Sequence, residues 1–462
     1  MTTHHHDLIV LGAGSGNTLI DERFADLDVA VIERRRFGGT CLNVGCIPTK
    51  MFAYTADIAS AVESARTFDL DASLRGVDWR ALHERIFSRL DGVASAGRVH
   101  RVDDNPNVTV YEGNARFTGH KTLRVDLGDG EDVTVSAAQI VLAAGARPLV
   151  PEPVASSSVR FETSDTVMHM DRLPARLAIL GGGYIAAEFA HVFAHLGSRV
   201  TVIDMADELL AGQDESIVAA YNEVARQRYD VRVGRKVDSL TQVGDGVRLT
   251  LDDGQVVEAD TLLVAVGRVP NADELELDST GVKIDDAGRV VVDAYQRTGV
   301  PGIFALGDMS SPVQLKHVAN RQAKVVAHNL LHPDDLMETD MDVIPAAIFT
   351  EPQIASVGLT EQDCRDEGTD YLVGTQTYSD VAYGWAMEDT TGFCKVLVDG
   401  ESGRILGAHI FGAQASTLIQ PLVLAMCWGI EGATLARRPY WIHPALTEVI
   451  ENALLHLKPP TQ

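Results

Sequence analysis

Short apolar runs separated by turn signals set the plan of the chain. Asp7–Gly12 (DLIVLG) is one such run, and it reads as a buried parallel strand. GAGSGN follows, then a helix-like segment to about Phe24, then a second apolar run, Val29–Glu33 (VAVIE). Strand, glycine turn, helix and a strand ending in an acid form the opening of a dinucleotide-binding unit. Asn17 stands where the fingerprint has its third glycine, a departure from it. The unit recurs at Leu177–Asp204, with Gly181, Gly183 and Ala186 in the turn and Asp204 closing the second strand. Two units imply two dinucleotides. Each pyrophosphate would meet free N–H groups and the positive dipole end of a helix.

Further along, about Pro48–Arg66 reads as a long helix. RVDLGDG and EDVTVSA read as short strands around a turn. IVLAAGARP (Ile140–Pro148) and LLVAVGRVPN (Leu262–Asn271) echo each other as exits from the two nucleotide folds. IFALGD (Ile303–Asp308) is another apolar strand. From about Asp340, KVLVD, RILGAHIFG and a terminal helix in HPALTEVIENALLHL suggest a separate α+β domain.

Length and charge narrow the class. The 462 residues predict roughly two to four domains. A net charge of −26 argues against nucleic acid as a partner. No apolar run of about 18 residues exists, so no membrane span is expected. The opening lacks a basic leader and a small-residue cleavage site, which points to a cytoplasmic protein. His4, His5 and His6 are either a tag remnant or native, and three histidines alone do not make a metal site.

Five cysteines in so long a chain do not make a disulfide scaffold. Cys41 and Cys46 are close, in CLNVGC. Four intervening residues suit zinc poorly, and no second pair completes a tetrahedral site. A disulfide needs Cα atoms about 4.4–6.8 Å apart, whereas a continuous helix would separate them by about 7.5 Å along its axis. The chain must therefore bend, and Asn43 and Gly45 tolerate a bend. So small a loop adds little stability, which favours a pair that opens and closes. A helix starting near Cys46 would favour its thiolate. Cys364, Cys394 and Cys427 are isolated and are expected to be buried. Lys50 follows Cys46 by one helical turn, and Glu188 follows the second glycine turn. A Lys–Glu pair there would tune a flavin. His443, with Glu448 five residues on, is a candidate general acid/base.

Taken together, GAGSGN, GGTCLNVGCIPTK, GGGYIAAE, GRVPN, IFALGD and HPALTE resemble the flavoprotein disulfide reductases over essentially the whole chain. GSGN and AYGWAMEDT more narrowly resemble the branch that reduces mycothiol disulfide in actinobacteria. The resemblance implies an α/β fold with two Rossmann-like domains, for FAD and NAD(P)H, and a C-terminal α+β dimerisation domain. Its boundaries would be 1–150 and 271–339 for the two parts of the FAD domain, 151–270 for NAD(P)H and 340–462 for dimerisation. It implies that Cys41 attacks the substrate disulfide, that Cys46 faces the flavin, and that Lys50 and Glu188 pair beside it. Gly12, Gly14, Ser15, Gly16, Glu33, Gly39, Thr40, Ala144, Gly145, Gly307 and Asp308 would hold FAD. Gly113 and Ala115 would lie near its adenine, and His317, Val318 and Ala319 near its ring. Gly181, Gly183, Tyr184, Ile185, Asp204, Gly267 and Arg268 would serve the nicotinamide coenzyme. His443 and Glu448 would complete the neighbouring subunit's site in a homodimer. The substrate would be mycothiol disulfide or another small disulfide. Asp204 departs from NADPH-specific members, which carry an arginine just after this strand. An acid there bonds a free ribose 2′-OH and repels a phosphate, so NADH would serve as well or better. Dihydrolipoyl dehydrogenase and a flavin redox sensor without turnover are the alternative readings.

Overall fold

A computed structural model describes residues 3–460. The first sheet has seven strands. Thr3–Leu11 lies at its centre, with Val29–Glu33 and then Val108–Glu112 parallel to it on one side. On the other side runs Glu131–Leu142, which pairs in parallel with both Thr3–Leu11 and Ile303–Ala305. The start of Glu131–Leu142 extends into an antiparallel meander with Thr122–Gly128 and Asn114–Gly119. The central strand begins earlier than the apolar run, at Thr3. His6 is buried there, with its ring nitrogens 2.8 Å from Asp28 Oδ1 and 2.9 Å from the Tyr111 hydroxyl.

The second sheet is parallel throughout, in the order Asp230–Arg232, Arg199–Ile203, Arg176–Leu180, Thr261–Val264, Glu162–Thr163. The two echoing exits meet: Ala146–Pro148 pairs antiparallel with Arg268–Pro270. The C-terminal part is a five-stranded antiparallel sheet from Ala346 to Phe411, packed on short helices.

Six helices position the site: α1 (Gly39–Asn43), α2 (Cys46–Ser64), α3 (Trp79–Val99), α4 (Tyr184–His195), α5 (Lys316–Leu331) and α6 (Glu448–Leu455). α2 packs along α4 through an apolar seam that includes Phe52, Ala53, Ala187 and Ala190. No helix among the described residues is long and apolar enough to cross a membrane.

Three expectations are corrected. The helix expected from Gly16 to Phe24 is two 3-10 turns, Gly16–Leu19 and Glu22–Phe24. The guanidinium of buried Arg101 captures the carbonyls of Asn17 and Ile20, each at 2.8 Å, and a continuous helix would have used these internally. Asp21 then caps the second turn through the Arg23 N–H at 3.0 Å. The terminal helix starts only at Glu448, so His443 precedes it, in a bend. Cys427 is exposed rather than buried. It ends the helix Gln420–Cys427 on a face that also exposes Leu424 and Trp428.

Candidate active site

The first glycine turn is wedged against the exit of its own sheet. Gly12 has φ +110°, and a Cβ there would sit 2.3 Å from the Ala143 carbonyl oxygen. Gly181 repeats this in the second unit, at φ +118° and 2.3 Å from the Ala265 carbonyl oxygen. Only glycine permits such an approach. Beside the first turn, a Cβ on Gly39 would lie 2.7 Å from Gly14 Cα, so α1 starts in contact with the turn. Glu33 braces the same place: its two carboxylate oxygens accept the Ala13 N–H at 2.7 Å and the Arg35 N–H at 2.8 Å.

The chain bends between α1 and α2, at Val44 and Gly45. A Cβ on Gly45 would meet the Thr40 carbonyl oxygen at 2.8 Å. The Asn43 amide donates to the Phe37 and Gly39 carbonyls, both at 2.9 Å, and locks the bend. The bend brings Cys41 to Cys46, the first residue of α2, as two free thiols. The neighbouring Cys41 thiol lowers Cys46 to about 7, with Lys50 assisting. Cys41 moves the other way: the bond to Cys46 and burial push it well above the usual thiol range, while Lys316 pulls it down. The pair thus favours the thiolate at Cys46 over that at Cys41.

Lys50, one turn along α2, places Nζ 2.6 Å from both carboxylate oxygens of buried Glu188 on α4. Glu188 Oε1 also accepts the Phe349 N–H at 3.1 Å, and the Phe349 ring lies 4.8 Å from Nζ. The charge pair therefore joins α2, α4 and the C-terminal domain.

A single cavity of about 1280 Å³ connects these parts. It runs from Glu33, Gly113 and Ala115, past Gly12, Gly14, Ser15, Gly39, Thr40, Ala144 and Gly145, to Cys41, Cys46 and Lys50. Tyr184, Ile185, Glu188, Arg268, Gly307, Asp308 and Ala319 close its far end. This exceeds the roughly 300–1,000 Å³ of ordinary small-ligand pockets and suits a dinucleotide. Burial pushes the Asp308 carboxyl up, against the pull of Arg268 and Lys316.

Other expected residues lie elsewhere. Gly16 and Val318 are buried beneath the cavity rather than lining it, and His317 turns outward with Nε2 2.9 Å from the Pro345 carbonyl oxygen. Gly181, Gly183, Asp204 and Gly267 belong to the second unit. Asp204 Oδ1 accepts the Ala206 N–H at 2.7 Å. The sequence shows no arginine soon after Asp204, but Arg235, in the loop that follows the strand Asp230–Arg232, donates its backbone N–H to the Asp204 carbonyl at 2.9 Å. Its side chain is held 2.8 Å from Asp253. His443 Nδ1 lies 2.7 Å from Glu448 Oε1, and neither residue lines the cavity. His443 is 71% exposed. Its chain neighbours Tyr440 and Ile442 are also exposed.

Comparison with known proteins fits this geometry. The model of the pyridine nucleotide-disulphide oxidoreductases matches residues 6–323, and that of their dimerisation domain matches residues 344–454. The chain belongs to the pyridine nucleotide-disulphide oxidoreductase family. This family is FAD-dependent, with NAD(P)H as electron donor, and the protein is a disulfide oxidoreductase. A mycothione reductase of Mycobacterium tuberculosis is 49% identical, covering 98% of this chain and 99% of that one. A dihydrolipoyl dehydrogenase of Chlamydia muridarum is 33% identical over 98% and 97% of the two chains. Among solved structures, the HOCl-induced flavoprotein disulfide reductase RclA of Escherichia coli superposes with a TM-score of 0.86 at 26% identity, covering 97% and 99%.

The sequence reading missed Lys316. It lines the cavity and donates to Ser15 Oγ at 2.8 Å. A signal was available: a lysine as the first residue of a helix opposes the macrodipole and asks for an anion nearby.

Proposed function

We propose that the protein reduces mycothiol disulfide to two mycothiols in an FAD-dependent, nicotinamide-driven reaction. The observation that carries the reading is the placement of Cys41 and Cys46 together on the wall of the dinucleotide cavity, across the bend at Gly45. The substrate choice follows the 49% identical mycothione reductase. The same reading divides the chain into an FAD domain (1–150 and 271–339), a nicotinamide domain (151–270) and a dimerisation domain (340–462).

FAD, held by Gly12, Gly14, Thr40 and Asp308, would supply the two-electron relay between the nicotinamide and the Cys41–Cys46 disulfide. Cys41 attacks one sulfur of the substrate, forms a mixed disulfide and expels one thiolate. Cys46, charged near neutral pH, then attacks Cys41 Sγ, re-forms the internal disulfide and frees the second thiol. Lys50 and Glu188 fix the charge beside this exchange. A general acid must protonate the first leaving thiolate, and no histidine lines the cavity. The His443–Glu448 pair, beside exposed Tyr440 and Ile442, fits that need from a second copy. On this reading the active protein is a homodimer whose sites each take His443 of the partner subunit.

The coenzyme is NADH as readily as NADPH. Asp204 closes the second strand of the second unit, and Arg235, whose backbone N–H bonds the Asp204 carbonyl, has its side chain paired with Asp253. Asp204 also keeps dihydrolipoyl dehydrogenase as the second reading. Initial rates with mycothiol disulfide, glutathione disulfide and lipoamide, each with both coenzymes, test the proposal. Turnover chiefly with mycothiol disulfide is expected. Turnover chiefly with lipoamide refutes the substrate, and a KM for NADPH at least tenfold below that for NADH, at similar kcat, refutes the coenzyme reading.

A further inference from the structure

The loop 204–214 of the second unit is gripped at both ends. It starts at Asp204, where the strand Arg199–Ile203 stops, and finishes at Asp214, which caps the helix Glu215–Arg228 by accepting the Ser216 N–H at 3.0 Å. Its middle lies on the second glycine turn. The Leu210 N–H donates to the Gly182 carbonyl at 2.8 Å, and a Cβ on Gly182 would sit 2.9 Å from Leu209 Cδ2 and 3.1 Å from Asp204 Cβ. Buried Asn222 braces the loop from the helix, accepting the Leu209 N–H at 3.0 Å and donating to the Leu209 carbonyl at 2.9 Å. Leu210 has φ +56°, a left-handed conformation that a bulky residue holds only where its surroundings impose it.

The far end of the loop is held by the C-terminal domain. Gln362 Nε2 donates to the Gln213 carbonyl at 2.8 Å, and the Glu361 N–H donates to Asp214 Oδ2 at 2.9 Å. Lys395, on the strand Phe393–Asp399, places Nζ 2.8 and 3.1 Å from the two Asp214 oxygens and 2.5 Å from Glu361 Oε2. Both Lys395 and Asp214 are buried. A buried ion pair adds little net stability over apolar side chains of the same size, so this one matters for the geometry it fixes. What it fixes is the loop that begins at Asp204.

We propose that Lys395 and Asp214 are positioning residues for the nicotinamide coenzyme, forming a clamp by which the C-terminal domain holds loop 204–214 against the second glycine turn. They act through the loop rather than on the coenzyme. The inference rests on the proposed placing of the coenzyme in the second unit, and it holds for NADH and NADPH alike.

In the oxidised holoenzyme NAD+ can be titrated without turnover. Lys395→Met and Asp214→Asn should each weaken NAD+ binding by about tenfold in calorimetry. The bonded amides of Ala206, Leu209, Leu210 and Gln213 should also exchange with deuterium faster than in the wild type. Val396→Ala is the control: this buried neighbour on the same strand points to the opposite face, so its loss should lower Tm and leave both readings unchanged. When NADH bleaches the flavin in a stopped-flow mixer, the half-saturating concentration should rise about tenfold in the clamp variants while the limiting rate is kept. Unchanged NAD+ affinity in the clamp variants, or an equal loss in Val396→Ala, overturns the proposal. If Lys395→Met does not fold, Asp214→Asn decides alone, since its amide oxygen still caps the helix. In the wild type, NAD+ should protect amides at 181–187 and 204–214. Protection only outside the second unit overturns the placing and the clamp with it, whereas protection there with unchanged affinity in the variants overturns the clamp alone.

Discussion

Removing the Cys41 thiol should weaken Cys46 as a nucleophile although Cys46 itself is untouched. Cys46 is lowered from 9.0 to about 7, and the neighbouring Cys41 thiol is the largest cause, ahead of Lys50 and the backbone at the start of α2. At pH 7 about half of Cys46 is therefore thiolate, against about one part in a hundred for an ordinary thiol. In Cys41→Ala the thiol is gone while Lys50 and the helix start remain, so the midpoint should rise by at least about one unit. The thiolate fraction at pH 7 then falls roughly fivefold or more. Cys41→Ser keeps a hydroxyl donor and should recover most of the difference. The assay is alkylation of Cys46 in the reduced protein between about pH 5 and pH 10, resolved by peptide mapping. The sign is fixed by the depressed value: reactivity is retained down to about pH 7 and lost as pH falls through it. A midpoint near 7 in Cys41→Ala would refute the reasoning, and would assign the shift to Lys50 and the helix instead.

Other consequences follow from buried groups. Lys395 Nζ lies 2.8 Å from Asp214 and 2.5 Å from Glu361, joining the nicotinamide unit to the C-terminal sheet. Lys395→Met strands two carboxylates and should cost about 3–5 kcal/mol, read as a fall in Tm with FAD bound. Asp214 is held at about 2 because His409 and Lys395 outweigh its burial. Its contribution is full above 3.8 and lost as pH falls through about 2, so acid unfolding of the wild type should steepen across that window. Gly12→Ala puts a Cβ 2.3 Å from the Ala143 carbonyl oxygen at φ +110°, and the purified protein should carry little flavin by absorbance.

Local chemistry carried most of the plan. Both glycine turns, the strand ends at Glu33 and Asp204, the bend at Gly45 and the pairing of Lys50 with Glu188 were all legible, because each depends on short spacing or a recurrent pattern. What escaped depends on residues far apart in the chain. Arg101 unmakes the first helix from more than eighty residues away. Lys316 reaches Ser15 across 301 positions, and Lys395 reaches Asp214 across 181. Arg235 meets Asp204 from the loop after the strand Asp230–Arg232, more than ten residues beyond it. His443 is legible as half of an acid/base pair, but that it does not line the cavity emerges only in three dimensions.

The central claim is that Cys41 and Cys46 form the disulfide that takes electrons from the nicotinamide and passes them to a small disulfide. Thiols should be counted in the flavin-loaded protein before and after one equivalent of NADH, with peptide mapping, and again after one equivalent of mycothiol disulfide. The account predicts two new thiols, at Cys41 and Cys46, that disappear on the second addition as two mycothiols are released. Thiols that fail to appear, map elsewhere, or persist after the disulfide is added would contradict it.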